Sequence, residues 1–159
     1  MKMSIINEAL VPEVLKYRGS LTRVLKSACS NFNIQALSQS KQSPFYMREV
    51  LLCDGEAPLV WAKSYLSSND VATVQAFLQL QGKSLGEQLL FTEGSVSRGD
   101  YQFISYRRLR SGSRIQNDFC EGIGRVSKFS WQEHPTTLML LEVFRYDALN
   151  VLEEIKLSK

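Results

Sequence analysis

The chain has 159 residues, of which 44% are hydrophobic and 22% are charged, and its formal net charge is +3. This composition excludes an intrinsically disordered protein, and no apolar run is long enough for stable insertion into a membrane. A net charge this small gives no reason to expect a nucleic-acid partner. The length predicts a single domain over residues 1–159.

Helices are predicted near the N-terminus. Apolar side chains at helical spacing indicate a helix over residues 5–17, and Ser20 is a suitable N-cap for a second helix. Residues 32–36 alternate between apolar and polar side chains, which indicates a strand. The polar stretch 38–44 then predicts a loop.

A hairpin is predicted for residues 46–63, where two apolar strands flank the tight-turn sequence Asp54-Gly55-Glu56. Each strand carries one cation on an otherwise apolar face, Arg48 in the first strand and Lys63 in the second. A buried cation is costly unless an anion meets it. Arg48 is therefore either a structural ion-pair partner or a clamp for a carboxylate. Lys63 either binds an anion or extends its charge to the strand edge.

The later elements are a helix, a short helix and three strands, predicted over residues 71–82, 84–90, 96–108, 124–131 and 136–146. Ser84 and Glu87 have the spacing of a capping box. The amides at that helix start lack helical acceptors, so those near Leu85 either receive an anion or serve only the cap. Helices first and neighbouring strands afterwards predict an α+β fold with an antiparallel sheet.

Glu142 is the third residue in an unusual position, because it lies on an apolar face of the last strand. A buried carboxylate without a partner becomes a general acid or a hydrogen-bond donor. The alternatives are a side chain that turns to solvent and a structural ion pair with Arg48. Two cations and one acid on adjacent apolar strands indicate a ligand pocket as readily as a purely structural cluster.

The Arg-rich segment 107–121 is predicted to be a solvated loop, since it lacks the interleaved aromatic side chains that stack on RNA bases. The three cysteines are widely spaced and indicate reduced thiols and no metal site. The N-terminus has no secretory signal. We therefore expect a cytoplasmic protein.

Three ordered motifs make the sequence resemble a known family. They are Arg48-Glu49-Val50-Leu51-Leu52-Cys53 with the following Asp-Gly turn, Gly82-Lys83-Ser84-Leu85-Gly86 leading to Leu89-Leu90-Phe91-Thr92, and Leu140-Leu141-Glu142-Val143-Phe144 after Gly124-Arg125-Val126-Ser127. Over residues 20–146 the chain resembles chorismate lyase. That family comprises cofactorless bacterial enzymes that convert chorismate to 4-hydroxybenzoate and pyruvate for ubiquinone synthesis.

The resemblance implies an antiparallel sheet of about six strands with helices packed on it, and a product pocket closed by flaps. It implies that Arg48 and the backbone amide of Leu85 hold the ring carboxylate. Glu142 would meet the 4-hydroxyl group, and Lys63 would serve the enolpyruvyl carboxylate. A backbone contact near Ala36 would complete the binding site.

The implied catalytic residues are thus Glu142, Arg48 and Lys63, with no metal and no cofactor. The implied partners are the small molecules chorismate and 4-hydroxybenzoate, and a monomer is expected. The sequence departs from the family pattern at Lys63, where the family has an arginine, and in a longer segment 107–121. An ammonium group is a point charge rather than a bidentate donor, so weaker binding of the second carboxylate or an altered substrate preference is expected.

Two rival functions remain open at the level of the sequence. The first is a chorismate-lyase-like module that binds an aromatic carboxylate as a sensor without turnover. The second is a nucleic-acid-binding protein that uses the basic segment, for which binding would depend steeply on salt.

Overall fold

The computed structural model of the protein describes residues 2–7, 9, 11–17, 19–90, 96–107, 121–145 and 148–150. The strands are β1 (Lys2–Ile5), β2 (Phe32–Gln42), β3 (Phe45–Asp54), β4 (Ala57–Ser67), β5 (Val96–Arg98), β6 (Gln102–Arg107), β7 (Glu121–Trp131) and β8 (Thr137–Phe144). The helices are α1 (Leu21–Ala28) and α2 (Val71–Leu78), with a 3₁₀ turn at Glu13–Lys16 and a π-helical turn at Gly86–Leu90. Most of the predicted basic loop, residues 108–120, lies outside the described residues.

The strands form one antiparallel sheet in the order β1-β6-β7-β8-β4-β3-β2, and β5 pairs with β7 beside this path. This arrangement confirms the predicted α+β class with an antiparallel sheet. The described sheet has eight strands rather than about six, because β1 was not predicted and the predicted strand 96–108 is two strands. No helix in the described ranges is long and apolar enough to cross a membrane.

The predicted helix over residues 5–17 is wrong. The first described element is β1, which pairs with β6, and the helical element between β1 and α1 is the four-residue 3₁₀ turn Glu13–Lys16. The amide of Ile6 donates to the carbonyl of Phe103 at 3.1 Å, so the sheet and not a helix supplies the hydrogen-bond partner. Ile5 is 72% exposed whereas Leu15 is fully buried, so the apolar residues of this segment do not share one buried helix face.

The predicted loop over residues 38–44 is also wrong. Strand β2 continues to Gln42 and pairs with β3 along its length, with a bulge between Ala36 and Ser38. The chain turns only at Ser43 and Pro44, which are joined by a cis peptide bond. A polar sequence is compatible with a strand here because β2 is at the edge of the sheet and exposes its side chains.

The predicted caps and the hairpin turn are confirmed. The hydroxyl of Ser20 accepts a hydrogen bond from the amide of Arg23 at 3.2 Å and caps α1. Strands β3 and β4 are joined by the two residues Gly55 and Glu56, and Gly55 has φ +59°. A positive φ at this position favours glycine, which explains why the Asp-Gly pair marks the turn.

Helix α2 is capped by Asp70. The carboxylate of Asp70 accepts hydrogen bonds from the hydroxyl of Thr73 at 2.7 Å and from its amide at 3.0 Å, and these bonds hold the pKa of Asp70 below its usual value. His134, in the turn between β7 and β8, has Nε2 at 3.6 Å from the same carboxylate. The start of α2 therefore contacts the turn between β7 and β8.

Alternating side chains along the central strands divide the core into two clusters. The larger cluster lies between the sheet and the helices, and it joins Val50 of β3 to Leu25 of α1 and Phe77 of α2. The smaller cluster is on the opposite face of the sheet and comprises Leu51, Cys53, Trp61 and Val143. The two faces therefore hold separate sets of residues from the same strands.

Strands β7 and β8 approach closely at Gly124. A Cβ atom at this position would lie 3.0 Å from the carbonyl oxygen of Glu142 and 3.0 Å from Cγ1 of Ile104. Side chains rarely pack so tightly, so glycine permits the spacing of β6, β7 and β8 here. The neighbouring residue Arg125 has Glu142 as its partner in the register.

We expect Gly124→Ala to lower the free energy of unfolding by about 1–3 kcal/mol, because the added methyl group must displace backbone atoms. Urea denaturation followed by circular dichroism measures this change. The matched control is Gly99→Ala, whose Cβ would meet the carbonyl of Lys128 at 3.5 Å, an ordinary contact distance. Equal stabilities of the two variants would contradict the prediction.

Candidate active site

A pocket lies between the helix side of the sheet and the starts of α1 and of the π-helical turn. Its volume is about 60 Å³, which exceeds the room that a single water needs. Apolar side chains and hydroxyl groups form most of its described walls. The ionisable groups among them are Arg48, Arg98, Arg125 and Glu142, which gives a formal net charge of +2.

Arg48 is a buried cation without a carboxylate partner among the described residues. Its side chain projects from β3 and the residue is 4% exposed. Nη2 donates to the carbonyls of Gln81 at 2.9 Å and Lys83 at 2.7 Å, whereas the buried Nε has no acceptor in the described part of the chain. Burial lowers the pKa of Arg48 to about 10. The guanidinium is thus positioned by two carbonyls and keeps donor capacity for a ligand.

The loop held by Arg48 leads directly into the predicted capping box. The hydroxyl of Ser84 accepts a hydrogen bond from the amide of Glu87 at 3.2 Å, which confirms the cap. The amides before Glu87 have no acceptor within the helical turn itself, and Leu85 is one of the residues that line the pocket. Leu85 and Arg48 therefore lie on walls of the same cavity.

Glu142 forms an ion pair with Arg125, which stands opposite it on β7. Nε of Arg125 is 2.8 Å from Oε1 and Nη2 is 3.4 Å from Oε2, and both residues are buried. The expectation of a carboxylate without a partner is therefore wrong, and so is the alternative of an ion pair with Arg48. Glu142 instead presents a carboxylate whose orientation is fixed from one side.

Arg98 is a further cation in the pocket. Its Nη2 is 3.9 Å from Oε1 of Glu142 and 3.4 Å from the hydroxyl of Ser127. Cζ lies 4.5 Å from the ring centre of Tyr101 and 4.7 Å from that of Phe129. These rings give the guanidinium favourable cation–π contacts in a desolvated site.

The start of α1 forms the remaining wall. Gly19, Ser20, Leu21 and Thr22 line the pocket. Because the Ser20 cap serves the amide of Arg23, the two preceding amides have no acceptor within the helix. The hydroxyl of Ser84 donates to that of Thr22 at 3.1 Å and joins this wall to the capping-box wall. The starts of α1 and of the π-helical turn thus form adjoining walls of one cavity.

The structure does not place Lys63 in the pocket. Lys63 is opposite Glu49 in the register of the hairpin, whereas Arg48 is opposite Ser64, so the two cations are on opposite faces of the sheet. Nζ of Lys63 is 5.5 Å from the ring centre of Tyr65. The predicted clamp made of Arg48 and Lys63 is therefore wrong in its geometry.

Ala36 is also absent from the described lining. It is exposed beside the bulge in β2, and Ile34, two residues earlier, lines the pocket instead. The structure therefore brings together Arg48, Leu85 and Glu142 from the predicted set and leaves out Lys63 and Ala36. The chemical roles assigned to all five stay predictions.

Sequence reasoning missed Arg98 and Arg125. Arg125 shares one face of β7 with Ser127 and Phe129, so the alternation that drew attention to Arg48 also marks it. Arg98 ends a strand of three residues, which is too short for any periodic signal. Among the described residues, no group of three or more His, Cys, Asp or Glu side chains is arranged to hold a metal ion.

The family model described as Chorismate lyase matches residues 2–149 of the chain. The chain belongs to the chorismate lyase family. A protein of Shewanella sp. (strain MR-4) named "Probable chorismate pyruvate-lyase" is 32% identical over 156 residues, which cover 88% of this chain and 80% of the relative.

Two further members of the chorismate lyase family carry the same printed name. The one from Nitrosomonas europaea is 27% identical over 151 residues, covering 82% of this chain and 83% of the relative. The one from Shewanella sp. (strain W3-18-1) is 31% identical over 124 residues, which cover 71% of this chain. The chain spans 64% of the length of that relative.

The family resemblance predicts that Arg48 binds a carboxylate, and such binding should depend on pH at the alkaline end. We expect the affinity for benzoate, which has no other group that titrates there, to be constant up to about pH 9. Above the pKa of about 10 the affinity should fall about tenfold per pH unit, because the free guanidinium loses its proton. Isothermal titration calorimetry with folding checked at each pH measures this.

The matched control for this titration is Arg48→Gln, which removes the charge and keeps a polar side chain. It should bind benzoate weakly at every pH and show no alkaline fall. Wild-type affinity that is retained in Arg48→Gln would show that Arg48 only supports the loop.

Proposed function

We propose that this protein is a chorismate lyase, which converts chorismate to 4-hydroxybenzoate and pyruvate without a cofactor. The observation that carries the proposal is the buried Arg48, whose charge has no carboxylate partner among the described residues. A buried cation that is only partly satisfied by carbonyls favours an anionic ligand. The membership of the chorismate lyase family supports chorismate as that ligand.

The ring carboxylate is assigned to Arg48 and to the backbone amide of Leu85. A guanidinium can donate two parallel hydrogen bonds to a carboxylate, and an amide at a helical start adds a third donor. Two carbonyls already fix the direction of Nη2, so the ligand meets a preorganised group. A further donor comes from the start of α1, near Leu21, and replaces the contact expected at Ala36.

The 4-hydroxyl group is assigned to Glu142. In chorismate the hydroxyl-bearing carbon is across the ring from the carboxylate, and the enolpyruvyl ether is on the adjacent carbon. The second carboxylate then falls at the Glu142 end of the pocket, where Arg98 lies 3.9 Å from Oε1. We therefore assign the second carboxylate to Arg98 and not to Lys63.

The charges of ligand and pocket are complementary. Chorismate is a dianion, and the described ionisable groups of the pocket have a formal net charge of +2. In a cavity with little water these opposite charges interact more strongly than they would in solution. The pocket thus favours a ligand with two carboxylates over one with a single carboxylate.

The reaction breaks the ether bond at the ring and removes the hydrogen from the hydroxyl-bearing carbon. That hydrogen ends on the three-carbon fragment, which leaves as pyruvate, and the ring becomes aromatic. Aromatisation supplies the driving force, so the protein need only hold the reactive conformer, exclude water and polarise the hydroxyl and ether oxygens. The product 4-hydroxybenzoate is the precursor of the ubiquinone head group, and we propose this supply as the physiological role.

The direct test is purified protein incubated with chorismate without added metal, with 4-hydroxybenzoate and pyruvate measured together. Equal amounts of both products, formed faster than in buffer alone, are expected. Arg48→Gln should reduce kcat/KM at least about a hundredfold, because the ring carboxylate loses its main charge partner. Tight binding of 4-hydroxybenzoate without either product would contradict the lyase and favour a sensor.

A paired substitution tests the assignment of the second carboxylate. We expect Arg98→Met to raise KM for chorismate about tenfold to a hundredfold, the effect of losing one charged hydrogen-bond partner. Its affinity for 4-hydroxybenzoate should change less than about threefold, because that product lacks the second carboxylate. The matched control Lys63→Met should leave both constants near wild type. A raised KM for chorismate in Lys63→Met with a wild-type KM in Arg98→Met would instead assign the second carboxylate to Lys63.

A further inference from the structure

Arg125 links Glu142, which lines the pocket, to the N-terminal segment that precedes the pocket residues Gly19 and Ser20. On one side Nε and Nη2 donate to the two carboxylate oxygens of Glu142. On the other side Nη1 donates to the carbonyls of Leu15 at 2.9 Å and Tyr17 at 2.8 Å. The residue is 1% exposed, and each guanidinium nitrogen already has an acceptor.

The carbonyl of Tyr17 also accepts from the phenol of Tyr101 at 2.7 Å. The ring of Tyr101 lies 4.5 Å from Cζ of Arg125, so both donors converge on this carbonyl from one side. Gly19 and Ser20, which follow closely in the chain, line the pocket. The hydrogen bonds of Arg125 and Tyr101 to the Tyr17 carbonyl therefore determine the position of the chain just before the pocket residues Gly19 and Ser20.

We propose that Arg125 is a positioning residue that aims the Glu142 carboxylate at the 4-hydroxyl group of the bound ring. It sets the separation between Glu142 and the segment that leads into α1, because one rigid, planar group binds the carboxylate and the carbonyls of Leu15 and Tyr17. The inference rests on the proposed function, since it requires an aromatic carboxylate in the pocket. Arg125 itself acts through Glu142.

The alternative is that Arg125 only stabilises the fold. Buried ion pairs contribute little net stability compared with apolar residues of similar volume, but they fix geometry. A bidentate guanidinium holds both carboxylate oxygens in one plane, and a lysine ammonium cannot do so. Arg125→Lys keeps the positive charge and removes the bidentate contact with the Glu142 carboxylate. It therefore separates the effect of carboxylate orientation from the effect of charge.

The experiment compares the affinities for 4-hydroxybenzoate and benzoate by calorimetry, because the ratio of the two isolates the contribution of the 4-hydroxyl group. In the wild type, 4-hydroxybenzoate should bind about tenfold to a hundredfold more tightly than benzoate. In Arg125→Lys this ratio should fall to that of Glu142→Gln. The affinity for benzoate should stay within about threefold, because Arg48 is unchanged.

Tyr101→Phe is the matched control, since it removes the other donor to the Tyr17 carbonyl and leaves the pair of Arg125 and Glu142 intact. It should keep the wild-type ratio. Circular dichroism and the thermal midpoint establish folding for each variant. Arg125→Gln, which retains a shorter planar donor, is the second variant if Arg125→Lys does not fold, and it should show the same loss.

Two results would overturn the inference while leaving the proposed function in place. One is a wild-type ratio in a folded Arg125→Lys or Arg125→Gln protein. The other is an equal loss of affinity for both ligands, which would make Arg125 a support of the whole pocket. If the wild type binds neither ligand, the proposed function itself fails, and the inference fails with it.

Discussion

The ion pair between Arg125 and Glu142 across β7 and β8 is the interaction on which the architecture of the pocket depends. The antiparallel register places the two residues opposite each other, and the close approach at Gly124 keeps the strands at the spacing that the pair requires. The same guanidinium reaches the carbonyls of Leu15 and Tyr17, so the N-terminal segment is attached to the sheet next to the carboxylate. One buried side chain therefore connects the sheet, the N-terminal segment and the only carboxylate among the described pocket residues.

Arg48 stands in the opposite electrostatic situation. Its charge is buried without an anion among the described residues, and the lowered pKa of about 10 corresponds to a cost on the order of 3 kcal/mol for the charged form. A ligand carboxylate would offset this cost on binding. The two arginines thus differ: each guanidinium nitrogen of Arg125 has an acceptor within the protein, whereas Arg48 has no anionic partner among the described residues.

The sequence predicted the residues whose signals are local. The caps at Ser20 and Ser84, the turn at Gly55 and the class of fold follow from short-range chemistry, and the structure has them all. The error at Lys63 came from treating two cations of one hairpin as neighbours, although a single step of register moves a side chain to the other face. The partner of Glu142 was missed although β7 and β8 follow each other across a short turn, because the residue opposite Glu142 depends on the register of the pair, which alternation alone does not determine. The N-terminal segment was misread since its hydrogen bonds go to β6, about a hundred residues away in the chain.

The polar composition of β2 has a consequence for solubility. A strand of eleven residues at the edge of a sheet offers unpaired backbone groups to any other extended chain, which is the usual route to edge-to-edge aggregation. Serine, glutamine and Lys41 along its second half, together with the bulge between Ala36 and Ser38, make that edge irregular and hydrophilic. The stretch that looks like a loop from its composition therefore forms an edge that is poorly suited to pairing with another chain, and valine or isoleucine in place of its polar residues would favour such pairing.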